Sequence, residues 1–298
     1  MSDPSSPIAR PRPRPFPRAV TLGAWIAAGA AVCAIAWTGA ALAFGASPSH
    51  TLQRDVTYTP AQWPQAQRGD LYLPGGAGPF PAVVVVHGGG WNSRDRQDMV
   101  GISQLLAENG FVAFNIDYRL APQFHHPAPV EDVRAAVSYL REHARSLKID
   151  PAHIGGWGYS AGAHLVTLAA NSDRGAVPLM QAVVAGGMPA DFRRYPQSPI
   201  IHEYIGASYT DAKAAWEAAS PYLQVSPDDP PMFIYHGNGD LIVQPEELTA
   251  MQAALQRNGV EVEVRQVPIL GHIAVFYFSE ASRRDAIAFL KRKLKPPG

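Results

Sequence analysis

Gly158-Tyr159-Ser160-Ala161-Gly162 lies between two apolar stretches, and this pentapeptide decides the predicted fold. Residues 154–158 have the composition of a buried strand, and residues 164–170 have that of a helix. The sequence therefore predicts a strand, a sharp turn and a helix, in which two glycines leave room for close backbone contacts. Such a turn exposes the Ser160 hydroxyl, and the N-terminus of the following helix points to the same place.

From Val56 onward, short apolar or β-branched runs alternate with amphipathic helical stretches. This alternation predicts an α/β fold with a mostly parallel sheet that is flanked by helices on both faces. Several runs are apolar throughout, as is typical of strands that are buried on both faces. The predicted strands are 70–73, 82–86, 111–116, 154–158, 181–185, 232–235 and 262–267, and helical spacing is clearest in 129–147, 246–258 and 282–294.

A glycine-rich loop, His87-Gly88-Gly89-Gly90-Trp91, follows the predicted strand 82–86. Because glycines carry no side chain, the backbone amides of Gly88 and Gly89 can approach a developing negative charge. The amide of Ala161, directly after the serine, is the third candidate donor. A flexible glycine turn does not require a position ahead of the Ser160 turn, so we predict that these three amides form an oxyanion hole.

A serine nucleophile needs a histidine as proton acceptor and a carboxylate that orients the imidazole. Asp240, in His236-Gly237-Asn238-Gly239-Asp240, follows a predicted strand and comes 80 residues after Ser160. His272 comes 32 residues after Asp240, beyond the next predicted strand. Both side chains are therefore expected at the carboxyl edge of the sheet, and we predict a catalytic triad of Ser160, Asp240 and His272.

The remaining histidines and acids have weaker positions in the sequence. Asp228 and Asp229 fall in a predicted turn before a strand and rank below Asp240. His87 and His236 are expected to act as hydrogen-bonded supports, and His164 to pack on the helix after Ser160. His125 and His126 lie in a predicted loop, and either line a substrate pocket or face solvent. The candidate substrate contacts are Trp91, Tyr159 and His125.

The N-terminal region differs in composition from the rest of the chain. Residues 1–18 alternate proline with arginine, which predicts an extended, disordered arm. Residues 19–45 carry no charge and exceed the roughly 20 residues that span a bilayer, so we predict a single transmembrane helix. Four preceding arginines predict a cytoplasmic N-terminus and an extracytoplasmic catalytic domain, periplasmic or at the cell surface. Because small residues follow this run, a cleaved signal peptide and secretion are the alternative.

Residues 46–54 are predicted to form a linker and 55–298 the catalytic domain.

Overall composition narrows the expected partners. The 298 residues are 47% hydrophobic, which is enough for one large core. Lys+Arg and Asp+Glu are both 25, so the net charge is zero and nucleic acid is not an expected partner. Cys33 is the single cysteine, which excludes an intramolecular disulfide and a thiolate cluster. We expect a small-molecule substrate, no cofactor and no metal, and the sequence leaves the oligomeric state open.

Five motifs together resemble the α/β-hydrolase esterase and lipase families. They are HGGGW at 87–91, DYRLAP at 117–122, PAPVEDVRAAVSYL at 127–140, GYSAGAHL at 158–165 and HGNGD at 236–240. The chain is most similar to the hormone-sensitive-lipase-like, feruloyl-esterase-like and kynurenine-formamidase-like groups, over about residues 55–295. The resemblance implies an α/β-hydrolase fold and the same roles for Ser160, Asp240, His272 and the three oxyanion donors. It also implies that Asp117, Tyr118 and Arg119 form a structural segment behind the site.

Three segments depart from the family pattern or interrupt it. Residues 273–278 replace the usual Gly-Phe ending after the histidine, and His125-His126 precedes the Pro-Ala stretch; both are expected to reshape a pocket. The insertion 188–222 is expected either to cover the site as a lid or to form a peripheral helical excursion.

The resemblance implies hydrolysis of carboxylic esters, with a small or short acyl group. Arylformamidases and peptidases use the same triad, so the sequence leaves these activities open. A non-catalytic, membrane-tethered binding module is the alternative from another class, because a fold alone does not define a function.

Overall fold

Eight strands form one sheet in the computed structural model, which describes residues 50–171 and 179–294. The strand order is β1-β2-β4-β3-β5-β6-β7-β8. β1 and β2 pair antiparallel, β2 pairs antiparallel with β4, and every later pair is parallel. The strands are β1 (His50–Thr57), β2 (Arg68–Pro74), β3 (Phe80–Val86), β4 (Val112–Ile116), β5 (Ile149–Tyr159), β6 (Val183–Gly186), β7 (Met232–Gly237) and β8 (Val262–Val267).

The parallel strands bring their carboxyl ends to one edge of the sheet. Val86 of β3 pairs with both Ile116 of β4 and Gly158 of β5. Gly186 of β6 pairs with Tyr159 on one side and Tyr235 on the other. The residues that immediately follow β3, β5 and β7 are therefore neighbours, although they are far apart in the sequence.

Ten α-helices among the described residues flank the sheet. Buried side chains of α1 and α10 pack on one face, and those of α2, α4 and α8 pack on the other. This confirms the predicted sheet with helices on both faces. The helices are α1 (Val100–Glu108), α2 (Ala128–Glu142), α3 (Ala144–Leu147), α4 (Ala161–Asn171), α5 (Pro199–Ile205), α6 (Lys213–Ala218), α7 (Pro221–Gln224), α8 (Glu246–Arg257), α9 (His272–Phe278) and α10 (Glu280–Leu294).

Two elements differ from the sequence prediction. The single helix predicted at 129–147 is two helices, which are divided at His143, where the backbone leaves helical dihedrals with φ −99° and ψ 11° and the ring stacks on Tyr139. Residues 50–54, predicted as linker, belong to β1. β1 is a half-exposed edge strand with a register shift, so it lacks the apolar run that marks the buried strands.

The predicted arm (1–18), the predicted transmembrane segment (19–45) and residues 46–49 of the predicted linker lie outside the described residues. Within 50–171 and 179–294, no helix is both long and apolar enough to cross a bilayer.

Candidate active site

Ser160 occupies a tight turn between β5 and α4. Its φ is +52°, in the left-handed region, and its N–H donates to the Gly186 carbonyl at 2.8 Å. A Cβ at Gly158 would lie 2.2 Å from the Gly162 carbonyl carbon, and one at Gly162 would lie 2.1 Å from the Val86 oxygen. Because no larger residue fits at either position, the two glycines are what allow the turn to pack between strand and helix.

Asp240 and His272 are directly hydrogen-bonded. Asp240 lies in the turn after β7, and His272 is the first residue of α9. His272 Nδ1 and Asp240 Oδ2 are 2.6 Å apart, and both residues are almost fully buried. His272 Nε2 has no hydrogen-bond partner among the described residues, and Ser160 and His272 line the same cavity. The free nitrogen is the one that a proton-accepting histidine presents to a serine.

Four N–H groups surround the Asp240 carboxylate. The amides of Ile242 and Val243 donate to Oδ1, each at 2.9 Å, and His236 Nε2 lies 3.2 Å from Oδ2, the oxygen that His272 contacts. Burial would raise the pKa of Asp240, but the hydrogen bonds from His236 and His272, with the Val243 amide, hold it well below its ordinary value. Asp240 therefore stays ionised at neutral pH.

His236 must carry its proton on Nε2. That nitrogen also lies 2.9 Å from the Val243 carbonyl oxygen, which can only accept a hydrogen bond. The same N–H is therefore shared between the carbonyl and Asp240, while Nδ1 is buried without a partner among the described residues. His236 is thus hydrogen-bonded, as the sequence predicted, and its partner in the site is Asp240.

The glycine-rich loop lies beside the serine turn. A Cβ at Gly88 would be 3.3 Å from the Ser160 Cβ, and Gly89 has a φ of +105°. The N–H groups of Gly88 and Gly89 donate no hydrogen bond to any described residue. Both glycines line the cavity with Ser160, and Ala161 follows the serine at the start of α4.

His87 and Tyr118 hold this loop from behind. Their rings stack with centroids 4.3 Å apart, His87 Nδ1 contacts the Gly88 carbonyl at 2.7 Å, and the Tyr118 hydroxyl donates to the same carbonyl at 3.2 Å. Burial lowers the pKa of His87, so its ring is neutral at pH 7. Tyr118 thus occupies the position behind the site that the resemblance implied.

A mostly apolar cavity of about 290 Å³ opens at Ser160. Besides the glycine loop, Ser160 and His272, its lining includes five residues of the predicted insertion 188–222 and several from the segments that carry Asp240 and His272. The insertion therefore forms part of the cavity wall, and its role as a lid stays a prediction. Its contributing residues are Pro189, Tyr195, Ser198, Ile200 and Ile201.

The three predicted substrate contacts have different surroundings. Trp91 lines the cavity, but it is buried, and its Nε1 donates to His164 Nδ1 at 3.2 Å. Tyr159 also lines the cavity, and its hydroxyl donates to the His272 carbonyl at 2.5 Å. His125 is not among the cavity residues; it is exposed, and its Nδ1 lies 2.9 Å from the Glu203 carbonyl. This backbone contact holds the His125 ring outside the cavity, in line with the solvent-facing alternative, and a contact of His125 with substrate stays a prediction.

A buried glutamate that the sequence did not indicate holds the insertion beside the cavity. Glu247, in the first turn of α8, is fully buried, and its Oε2 accepts the amides of Ala190 at 3.0 Å and Asp191 at 2.9 Å. Burial raises the pKa of Glu247. Neighbouring acids at a helix start are usually solvated, so Glu246-Glu247 gave no signal of a buried acceptor.

Within 50–171 and 179–294, no group of three His, Cys, Asp or Glu side chains could hold a metal ion. The cavity presents a serine hydroxyl, an imidazole with one free nitrogen and two free amides, and an ionised carboxylate is hydrogen-bonded to that imidazole from behind. These are the parts of a serine nucleophile, its base and a site for an oxyanion.

The fold, with a serine turn after β5, an acid after β7 and a histidine after β8, defines the chain as an α/β-hydrolase, as the sequence predicted. The BD-FAE family profile matches residues 70–255, which is more than half of the 298-residue chain. The chain belongs to the BD-FAE family.

Related proteins carry esterase names. Carboxylesterase NlhH of Mycobacterium tuberculosis is 29% identical over 262 residues, which cover 78% of this chain and 77% of NlhH. Esterase LipQ of the same organism is 29% identical over 209 residues, covering 64% of this chain and 50% of LipQ. The chain spans about half the length of the curated relatives LipQ, LipM and LipC. Among solved structures, Bacterial Heroin Esterase has a TM-score of 0.75 and 25% identity, with 90% of this chain and 92% of that chain covered.

Proposed function

We propose that the protein hydrolyses carboxylic esters with Ser160 as nucleophile, His272 as base and Asp240 as the orienting acid. The observation that carries this proposal is the His272–Asp240 hydrogen bond of 2.6 Å, with the free His272 Nε2 beside a cavity that Ser160 also lines. The esterase names of NlhH and LipQ support the same reaction class.

The proposed reaction has two steps. Ser160 Oγ attacks the ester carbonyl while His272 Nε2 takes its proton, and the amides of Gly88, Gly89 and Ala161 stabilise the oxyanion. The imidazolium then gives this proton to the leaving alcohol, which produces an acyl-enzyme. Water, activated by His272, frees the acid in the second step. No cofactor takes part in this scheme.

The proposed substrates have a small or short acyl group. A cavity of about 290 Å³ is at the lower end of the roughly 300–1,000 Å³ of ligand pockets, and its walls are mostly apolar. Arylformamides and peptides are the alternatives that the same triad could cleave. A panel of p-nitrophenyl acetate, butyrate and octanoate, an N-formyl aryl amide and a peptide p-nitroanilide ranks these bonds directly, and faster turnover of the amides would replace the ester proposal.

Ser160→Ala tests the nucleophile. We expect the wild type, but not this variant, to be labelled by a fluorophosphonate probe, with the same thermal unfolding temperature for both. Ser146→Ala is the matched control, because Ser146 is exposed and its hydroxyl donates to the His143 carbonyl, away from the cavity. Labelling of Ser160→Ala would assign the nucleophile to another residue. Ester turnover and labelling that are both absent from the wild type would favour a non-catalytic binding module.

For the N-terminal region, we propose that residues 19–45 anchor the protein in a membrane with the catalytic domain on the extracytoplasmic side. The uncharged run and the arginines before it support this proposal. Expressed with its full N-terminus, the protein should sediment with membranes and resist carbonate extraction. A soluble product whose N-terminal sequence begins near residue 44 or 47 would show signal cleavage instead.

A further inference from the structure

An unusual set of large apolar side chains is exposed on the segments that carry Asp240 and His272. Leu241 is 97% exposed, Ile269 90% and Phe278 75%, while Ile242, Ile273 and Tyr277 are at least half exposed. Folded proteins seldom expose such side chains together unless they contact a ligand or partner. We call this set the apolar rim, and its members are Leu241, Ile242, Ile269, Ile273, Tyr277 and Phe278.

The apolar rim is continuous with the cavity. Ile242, Ile273 and Tyr277 line the cavity directly. The segments that carry Leu241 and Ile269 meet, because Gly239 N–H donates to the Leu270 carbonyl at 3.1 Å and a Cβ at Gly239 would lie 2.3 Å from the Ile269 oxygen. The rings of Tyr277 and Phe278 have centroids 6.3 Å apart.

The rim segments are also free of charge. Residues 241–245 and 268–279 contain no Asp, Glu, Lys or Arg, whereas the segment after the glycine loop contributes the Arg94–Asp98 ion pair to the cavity. Ile269 has a φ of +68°, which is unfavourable for a β-branched residue. The chain thus keeps an apolar side chain exposed at a position where Asn or Gly would be less strained.

The chemistry of the proposed reaction identifies what would lie on this surface. His272 protonates the oxygen of the leaving alcohol, so the alcohol group must lie on the His272 side of Ser160. The acyl group stays bonded to Ser160 after the alcohol leaves. The cavity at Ser160 therefore suits the acyl group, and the exposed surface next to His272 suits the alcohol.

We infer that the apolar rim binds the alcohol group of the substrate, and that the substrates are small-acyl esters of large apolar alcohols. This inference rests on the proposed ester hydrolysis. Each methylene removed from water contributes about 0.8 kcal/mol when fully buried, which is up to about four-fold in kcat/KM. On an open surface, where burial is partial, we expect kcat/KM to rise roughly two-fold for each methylene.

The test uses ethyl, butyl, hexyl and octyl acetate at monomeric concentrations, with acetate release followed at constant pH. For the wild type, kcat/KM should rise along the series. Ile269→Asn and Phe278→Ser should flatten this rise, lowering kcat/KM for octyl acetate several-fold while ethyl acetate changes less than two-fold. Ile269→Asn suits a left-handed φ better than Ile, so misfolding would not explain its effect.

Leu223→Ser is the matched control, because Leu223 is an exposed apolar residue that is not among the cavity residues. It should follow the wild-type slope. A flat wild-type series, or rim variants with the wild-type slope, would overturn the inference. So would rim variants that only convert a dimer to a monomer in gel filtration, because the rim would then be a contact between copies. Absence of any ester turnover and of fluorophosphonate labelling would instead contradict the proposed function itself.

Discussion

Replacing Asp240 with asparagine tests the proposed arrangement most directly, because the carboxylate accepts four N–H groups. Asparagine offers one oxygen and one NH2 group. If the oxygen stays with the Ile242 and Val243 amides, the NH2 group faces His236 Nε2 and His272 Nδ1. His236 cannot move its proton to Nδ1 without losing its hydrogen bond to the Val243 carbonyl. His272 therefore has to change its tautomer.

The changed tautomer carries the His272 proton on Nε2, where it can no longer accept the proton of Ser160. A triad with this defect loses about 10⁴-fold in kcat, equivalent to about 5 kcal/mol of transition-state stabilisation. Loss of hydrogen bonds to a charged group should also lower the free energy of unfolding by about 2 kcal/mol. We expect KM for p-nitrophenyl acetate to change little, since the carboxylate does not contact the substrate.

The assay compares steady-state kcat and KM, and urea unfolding, for wild type, Asp240→Asn and Asp228→Asn. Asp228 is exposed and undergoes the same chemical change outside the site, so its variant should match the wild type in both measurements. A kcat for Asp240→Asn within ten-fold of the wild type would refute the assignment of Asp240 as the orienting acid.

Three further predictions concern stability. Burial lowers the pKa of His164 to about 3, so the unfolded chain binds its proton first as pH falls below about 6.5; the contribution of His164 to the unfolding free energy should fall by about 2 kcal/mol from pH 7 to 5, and the decline measured for His164→Phe should be smaller than that of the wild type by this amount. Gly162→Ala should destabilise by about 3 kcal/mol or more in urea unfolding, whereas Gly101→Ala, with open space around its Cβ, should not. Glu247→Ala should lower the free energy of unfolding by about 3 kcal/mol, because it leaves the amides of Ala190 and Asp191 unpaired, and it should raise KM because these residues adjoin the cavity wall. Exposed Glu246→Ala should change neither the free energy of unfolding nor KM.

The sequence predicted the serine turn because the physical requirement there is local. Gly158 and Gly162 must both be glycine for the strand, turn and helix to pack, and this need appears as a five-residue pattern. Position after a strand was equally informative for Asp240 and His272, because the carboxyl ends of parallel strands meet at one edge.

Features that depend on contacts between distant segments had no such pattern. That His236 shares one carboxylate with His272 depends on the turn geometry at 240–243, and the burial of Glu247 depends on the insertion that packs over α8. β1 was missed because its exposed edge position removes the apolar run that predicts a strand. The orientation of His125 stayed open in the sequence because its contact partner, the Glu203 carbonyl, lies 78 residues away.

The register of the sheet determines how far apart the site residues lie. β7 is buried along its whole length, and it pairs with β6 from Met232 to Tyr235 and with β8 from Met232 to Gly237. A shift of one residue would move its end by about 3.3 Å, more than the 2.6 Å that separates Asp240 Oδ2 from His272 Nδ1. A shift by one residue would also turn the buried side chains of β7 to the opposite faces of the sheet. The packing of Met232, Phe233, Ile234 and Tyr235 therefore fixes the position of Asp240, although none of these side chains lines the cavity.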